Sequence, residues 1–361
     1  MGKGISISLC MIVKDEESVL ERCLNCAKDI VDEIIIVDTG SKDKTIEIAK
    51  KFTDKIYYFK WIQDFAAARN FSFSKATKEY IFYLDADDII SKEDQEKLKT
   101  LKATLNKNVD SVTMYYNLNV DKNGVPALSY IRNRLVRRDR NFKWYGRVHN
   151  YLQVYGKIYN SDIGIIHDKV KPREIDRNLN IYKKMIEDKV DFSPRDVFYY
   201  GNELYEHHLF EEAIKQYTKL LSMDKAWKEN KISACNKLSS YYISNNQFEE
   251  TLKYCFKSFE YDKPRAELTF LIGKCFKLQN KFSEAIFWYD LTTKLEKPAA
   301  NGGFFYESYW TWIPHVELCL CYYHEKNNAL AFKHNELALS FSPDNTILIN
   351  NKKFFESIGF K

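Results

Sequence analysis

Glu33-Ile34-Ile35-Ile36-Val37-Asp38-Thr39-Gly40-Ser41 is an apolar, β-branched run that stops at an acidic residue and a tight turn. The run does not alternate with polar residues, so it predicts a strand covered on both faces, as in a parallel sheet. Ser41, Asp43 and Lys44 then open a helix through 51. Upstream, residues 5–13 form a second continuous apolar run. It is followed by an amphipathic stretch over 16–27 with Val19, Leu20, Cys23 and Leu24 on one face. Downstream come a strand over 55–59, a helix over 65–76 and a strand over 80–84. Strands and helices that alternate at this spacing predict an α/β domain: a parallel sheet with helices on both faces. Ligands of such sheets sit beyond the carboxyl ends of the strands. That places the polar clusters after the first, second and fourth strands where a site is expected.

Between 111 and 167 the pattern changes to short β-rich pieces, at 111–116 and 163–166. Arg132, Arg134, Arg137, Arg138, Arg140 and Arg147 concentrate among them. Beyond 171 the chain reads as helical and repeats internally. Phe210, Phe248 and Phe282 each precede Ala213, Thr251 or Ala285 by three residues, and Tyr217, Tyr254 and Tyr289 follow. The spacing is close to the ~34-residue tetratricopeptide period, whose helix pairs must stack to bury their apolar faces. A degenerate copy around Asn328 and Ala331 follows an insertion over 298–305. The expected domains are therefore 1–170, a linker helix over 171–195, and an all-α repeat domain over 196–361.

A chain of 361 residues is long for one core, and 45% hydrophobic with 29% charged residues excludes a disordered or fibrous protein. The net charge of +5 permits an anionic ligand such as a nucleotide diphosphate but is too weak to argue for nucleic acid. Tyr and Phe, many of them in the second half, read as ring packing between repeats. Eight cysteines include a lone CxxC at Cys23 and Cys26 and a CxC at Cys319 and Cys321. No second ligand pair completes a zinc site, so buried, reduced thiols are expected. The first residues lack a signal-peptide pattern and no apolar run is long enough to span a bilayer, so a cytoplasmic location is expected.

The densest chemistry lies in Tyr83-Leu84-Asp85-Ala86-Asp87-Asp88. Strand alternation would put Asp85 and Asp87 on one side. Carboxylates so close repel unless a cation joins them, and a hard divalent ion bridging to phosphate suits them. The alternative is a solvated turn before a helix cap at Ser91. Asp38 at its strand end can accept hydrogen bonds from a base or ribose, or belong to an ordinary turn. In Ala66-Ala67-Ala68-Arg69-Asn70, small residues permit close approach and Arg69 offers a forked donor for a diphosphate or for a surface salt bridge.

In this order the segments resemble the family 2 glycosyltransferases of the GT-A fold. The resemblance rests on residues 8–17, with Asp15 at the usual Asn position, the Asp-x-Gly-Ser-x-Asp-like turn after Val37, Ala68-Arg69-Asn70 and Asp85-Ala86-Asp87. Tyr145-Gly146-Arg147-Val148-His149-Asn150, Ile165-Ile166-His167, Arg177-Asn178-Leu179 and residues 309–315 are similar to a subgroup with a tetratricopeptide tail. The sublancin-type bacteriocin S-glycosyltransferases have this architecture. The resemblance implies an inverting, metal-dependent transferase using a nucleotide-diphosphate sugar, a UDP-hexose or UDP-N-acetylhexosamine. Nucleotide-sugar contacts are implied for Ile12, Lys14, Asp15, Asp38, Arg69, Asp85 and Arg147, and Mn2+ or Mg2+ ligation for Asp85, Asp87 and His167. Catalytic-base candidates are His149, Asp88 and Asp168, with His149 equally readable as structural. Asn150 stands where the subgroup commonly has Glu, and an amide cannot act as a base. Asp168-Lys169 replaces the subgroup's aromatic-Gly-Tyr. The acceptor would be a peptide, protein or glycan, and the repeats would offer a surface for a peptide or protein acceptor or for a homodimer partner. The rival expectation is a catalytically degenerate nucleotide-sugar-binding domain on an interaction scaffold. A nucleotidyltransferase is disfavoured because no Gly-rich phosphate loop occurs.

Overall fold

The computed structural model describes residues 4–120, 126–170, 174–297 and 306–360. It divides into two compact units, Met1–Val190 and Asp191–Lys361. In the first unit the strands are β1 (Ile7–Val13), β2 (Glu33–Asp38), β3 (Ile56–Tyr58), β4 (Tyr80–Tyr83) and β5 (Asp88–Ile89). They continue with β6 (Ser111–Val120), β7 (Pro126–Arg137), β8 (Lys143–Tyr145), β9 (Tyr151–Gln153) and β10 (Ile158–His167). The helices are α1 (Leu20–Ala27), α2 (Thr45–Ala49), α3 (Phe65–Ser74), α4 (Lys92–Thr104) and α5 (Arg177–Glu187).

Eight strands form one sheet in the order β3-β2-β1-β4-β7-β6-β10-β5, and β8 pairs with β9 apart from it. The first four pair in parallel, as the alternating pattern predicts. The sheet as a whole is mixed, because β7 runs antiparallel to both β4 and β6, and β5 antiparallel to β10. The β-rich pieces after 111 thus extend the same sheet rather than leaving it. Both faces of the parallel part are buried. Leu9, Met11 and Val13 of β1 pack with Leu20, Cys23 and Leu24 of α1. Cys10 packs on the opposite face with Ile35, Val37, Phe73 and Trp144. Glu33 opens β2 beneath this core and accepts hydrogen bonds from Ser8, Lys55 and Thr77, with Thr77 N at 2.9 Å. Burial opposes its ionisation, but Lys55, Ser8 and Thr77 override that and bring the carboxyl down to about 2.

The boundary between units falls after Val190, whereas the sequence pattern puts it at 170 with a linker helix over 171–195. Helix α5 belongs with the first unit, where Leu179, Ile181, Tyr182 and Met185 are buried. Of the linker as read, residues 171–173 lie outside the described residues, as does the insertion at 298–305.

The second unit is helical: α6 (Pro194–Glu206), α7 (Phe210–Leu221), α8 (Lys228–Ser244), α9 (Phe248–Ser258) and α10 (Ala266–Leu278), then α11 (Phe282–Lys294), α12 (Trp312–His324), α13 (Asn328–Phe341) and α14 (Thr346–Ser357). Phe210, Phe248, Phe282 and Asn328 open α7, α9, α11 and α13, so the repeat register read from sequence is the second helix of each pair. Ala213, Thr251, Ala285 and Ala331 are all 0% exposed. Tyr217 and Tyr289 each press against a glycine of the preceding helix: a Cβ at Gly201 or Gly273 would lie 2.8 Å from the ring. All eight cysteines are buried and unbridged. Among the described residues no helix is long and apolar enough to cross a membrane.

Candidate functional site

Beyond the carboxyl ends of β1, β2, β4 and β10 lies a cavity of about 690 Å³, whose described lining residues all belong to the first unit. Each wall follows from a local sequence feature. After β1, Asp15 takes a left-handed backbone (φ 55°); its N–H donates to Ser41 Oγ at 2.9 Å and its Oδ1 accepts from Lys42 N at 2.7 Å. These bonds staple the loops after β1 and β2 together. Gly40 turns the second loop at φ 112°, a conformation that favours glycine. Thr39, which the sequence reading did not single out, reaches the cavity beside Ile12, Lys14 and Asp15.

Helix α3 starts at an Asp64 cap, whose Oδ1 accepts from Ala67 N at 2.8 Å. Ala66 and Ala68 are buried, so the small-residue run does allow α3 to approach closely. Arg69 Nη2 donates to Asp85 Oδ1 at 2.6 Å, and the guanidinium lies over the Trp144 ring at 4.8 Å. Asn70 ties the same helix to β8 through two 2.9 Å bonds with the Trp144 backbone.

The acidic run separates into three different environments. Strand β4 ends at Tyr83, so the turn after it, not strand alternation, brings Asp85 and Asp87 to the same cavity. Burial disfavours a charged Asp85, but Arg69, Arg134 and Arg132 outweigh it and hold the carboxyl well below the usual range. Asp88 is fully enclosed. It pairs with the equally enclosed Arg134 at 3.0 Å and accepts from Tyr116 Oη and Asp85 N, each at 2.9 Å. Asp87 is left facing His167, whose Nδ1 lies 3.4 Å from Asp87 Oδ1. The helix cap at Ser91 is also present, accepting from Asp94 N at 3.1 Å.

Asp87 and His167 form a geometry suited to a cation. With Asp88 their donor atoms lie within 4.8 Å of one another. His167 Nδ1 is buried without a hydrogen-bond partner. Without an ion, Asp87, then Asp88, pushes the imidazole up to about 9 against the opposing effect of burial, and ligation of a cation displaces that proton. An oxygen and a nitrogen donor, open to a cavity on one side, fit a divalent ion that keeps sites for phosphate. Asp85, named with them from sequence, is instead engaged by Arg69.

The cavity gathers Ile12, Lys14, Asp15, Arg69, Asp85, Asp87 and His167. Others lie off it. Asp38 is buried, its carboxylate accepting from Gly40 N and Ser41 N at 3.1 Å, so it shapes its own turn. Arg147 pairs with Asp188 at 2.7 Å. The three base candidates do not line the wall. His149 has a left-handed backbone (φ 46°) and stacks near Tyr182, Asp88 is committed to Arg134, and Asp168 turns to Arg22. Residues the sequence reading passed over include Trp61, Gln63 and Phe65 at the entry to α3, and Glu174, Asn180 and Ile181 around α5. The left-handed Gln63 (φ 58°) carries no sequence signal. Arg177, quoted from sequence only for its likeness to the subgroup, also lines the cavity.

Residues 8–159 match the model of Glycosyl transferase family 2. The chain is 30% identical over 269 residues to the SPbeta prophage-derived glycosyltransferase SunS of Bacillus subtilis (strain 168). That alignment takes in 69% of this chain and 61% of SunS, so the chain spans about 61% of its relative's length. A TPR repeat-containing protein of Synechococcus elongatus is 50% identical over 82 residues, 23% of this chain and 20% of that protein. Among solved structures, the TPR protein YrrB aligns with TM-score 0.37 and 19% identity over 50% of this chain and 84% of its own.

Proposed function

From the match of residues 8–159 to the Glycosyl transferase family 2 model, we propose that the chain is an inverting, metal-dependent glycosyltransferase. Its donor is a uridine-diphosphate sugar, and its acceptor a peptide, protein or glycan. The observation that carries this reading is the Asp87–His167 pair, 3.4 Å apart on the wall of a cavity at the strand ends. With Mn2+ or Mg2+ held by Asp87 and His167, charge developing on the departing diphosphate is offset at that end. The chain's own groups do the rest. Arg69 neutralises Asp85 and so keeps a second carboxylate from repelling phosphate. Lys14, exposed at the end of β1, adds a further cation to the cavity wall. An acceptor attacking the anomeric carbon from the face opposite the diphosphate gives inversion.

The test is Mn2+-dependent hydrolysis and transfer with a panel of uridine-diphosphate sugars. Asp87→Ala should lower turnover at least about a hundredfold, in line with the loss of a principal transition-state charge contact. Full activity in that variant refutes the proposal. One observation favours the rival, a domain that only binds nucleotide sugar: none of His149, Asp88 and Asp168 lines the cavity. Tight nucleotide binding with neither hydrolysis nor transfer in the unaltered protein establishes that rival.

A further inference from the structure

Resting on the glycosyltransferase reading, we propose that Lys169 is a catalytic residue whose ammonium takes the outer phosphate of the nucleoside diphosphate as it leaves. The position follows from the chain just past β10. The N–H of Asp168 donates to Asp87 O at 3.0 Å, which fixes this segment against the acidic turn. Side chains of extended backbone alternate. Asp168 points away to Arg22 of α1, whereas His167 and Lys169 both line the cavity.

Two exposed lysines line the cavity, Lys14 after β1 and Lys169 after β10, and Lys169 is the one two residues from His167. Arg69 is held by Asp85, Arg134 by Asp88 and Arg22 by Asp168. Lys169 is exposed on the wall, and no ion pair or hydrogen bond engages it among the described residues. A free ammonium beside a cation-binding pair suits a phosphate, which lysine binds as a point charge.

The order of strands arranges the ligand. Across the sheet from β2 through β1 and β4 to β10 come Thr39, Lys14, the Asp85–Asp87 turn, then His167 and Lys169. A nucleoside at the β2 end directs its diphosphate past Asp87 and His167 towards Lys169. In transfer, the acceptor hydroxyl or thiol forms its bond to the anomeric carbon and releases its proton to water, and the bond to the outer phosphate oxygen breaks. The electron pair stays on that oxygen, and Lys169 donates a hydrogen bond to it while keeping its proton.

Calorimetry on the full chain with Mn2+ tests this, using the di- and monophosphates of all five common nucleosides. The best-bound diphosphate should lose about tenfold in affinity in Lys169→Gln, the usual worth of a charge-assisted bond, while Lys169→Arg retains most of it. The matching monophosphate, lacking the outer phosphate, should change less than about twofold. Equal diphosphate affinity in Lys169→Gln and the unaltered protein overturns the role of Lys169 and leaves the transferase reading standing. So does an equal loss for both nucleotides. If no diphosphate binds the unaltered protein, both fall.

Discussion

Asp88 and Arg134 are each 0% exposed and 3.0 Å apart, so neither charge has water to fall back on. Removing one partner strands the other. Asp88→Ala or Arg134→Met should each cost about 3–5 kcal/mol in urea unfolding, and the double variant should recover part of that loss. Glu33 makes the first unit sensitive to acid. Its carboxyl sits at about 2 in the fold against 4.5 ordinarily, so the folded state holds the proton more weakly than the unfolded chain. The stabilisation is complete above about 4.5 and fades as pH falls towards 2. Glu33→Gln should flatten that part of an acid titration followed by circular dichroism. At this scale Arg69, Asp85 and Asp87 were legible, because the Ala-Arg-Asn and Asp-x-Asp strings announce themselves locally. The partition of the acidic run was not. Arg134 and Tyr116 reach Asp88 from β7 and β6, and only the paired sheet shows which carboxylate they enclose.

Among the elements, the repeat helices make a sharp prediction. Tyr289 is 0% exposed and meets Gly273 where a Cβ would stand 2.8 Å from its ring, so the ring cannot retreat. Gly273→Ala should cost about 1–3 kcal/mol of overpacking, read as faster amide exchange in α10 and α11. The Phe, Ala and Tyr register was visible in sequence because those residues recur on one helix of each pair. Gly201 and Gly273 escaped notice because they sit on the other helix, and a glycine's packing role depends on what faces it. Element ends were also harder to place than element types. The strand read over 80–84 stops at Tyr83, and the helix read to 51 is only Thr45–Ala49. Helix α5 reads as a linker because its apolar face shows a helix without showing which core receives it.

Over the whole chain, the α/β half and the helical half were plain from the change of period, from continuous β-branched runs to helix-spaced aromatics. The extension of the sheet by β6, β7 and β10 was not, since β7 meets β4 antiparallel and β10 meets β6 in parallel across long sequence separations that leave no local trace. The described residues lining the cavity fall between Ile12 and Ile181, inside the first unit. A nucleoside diphosphate with Mn2+ at a hundred times its Kd should therefore stabilise that unit by about 2.7 kcal/mol. Scanning calorimetry should show its transition rise by about 5 °C or more.

The enclosure of all eight thiols has a practical corollary. Maleimide reagents attack accessible thiolates, so in the native protein a newly introduced cysteine reacts ahead of the resident ones. Val170, 57% exposed on the cavity rim, is a suitable place for it. A fluorophore attached there would convert donor arrival into an optical signal without any of the native sulfurs having to be replaced.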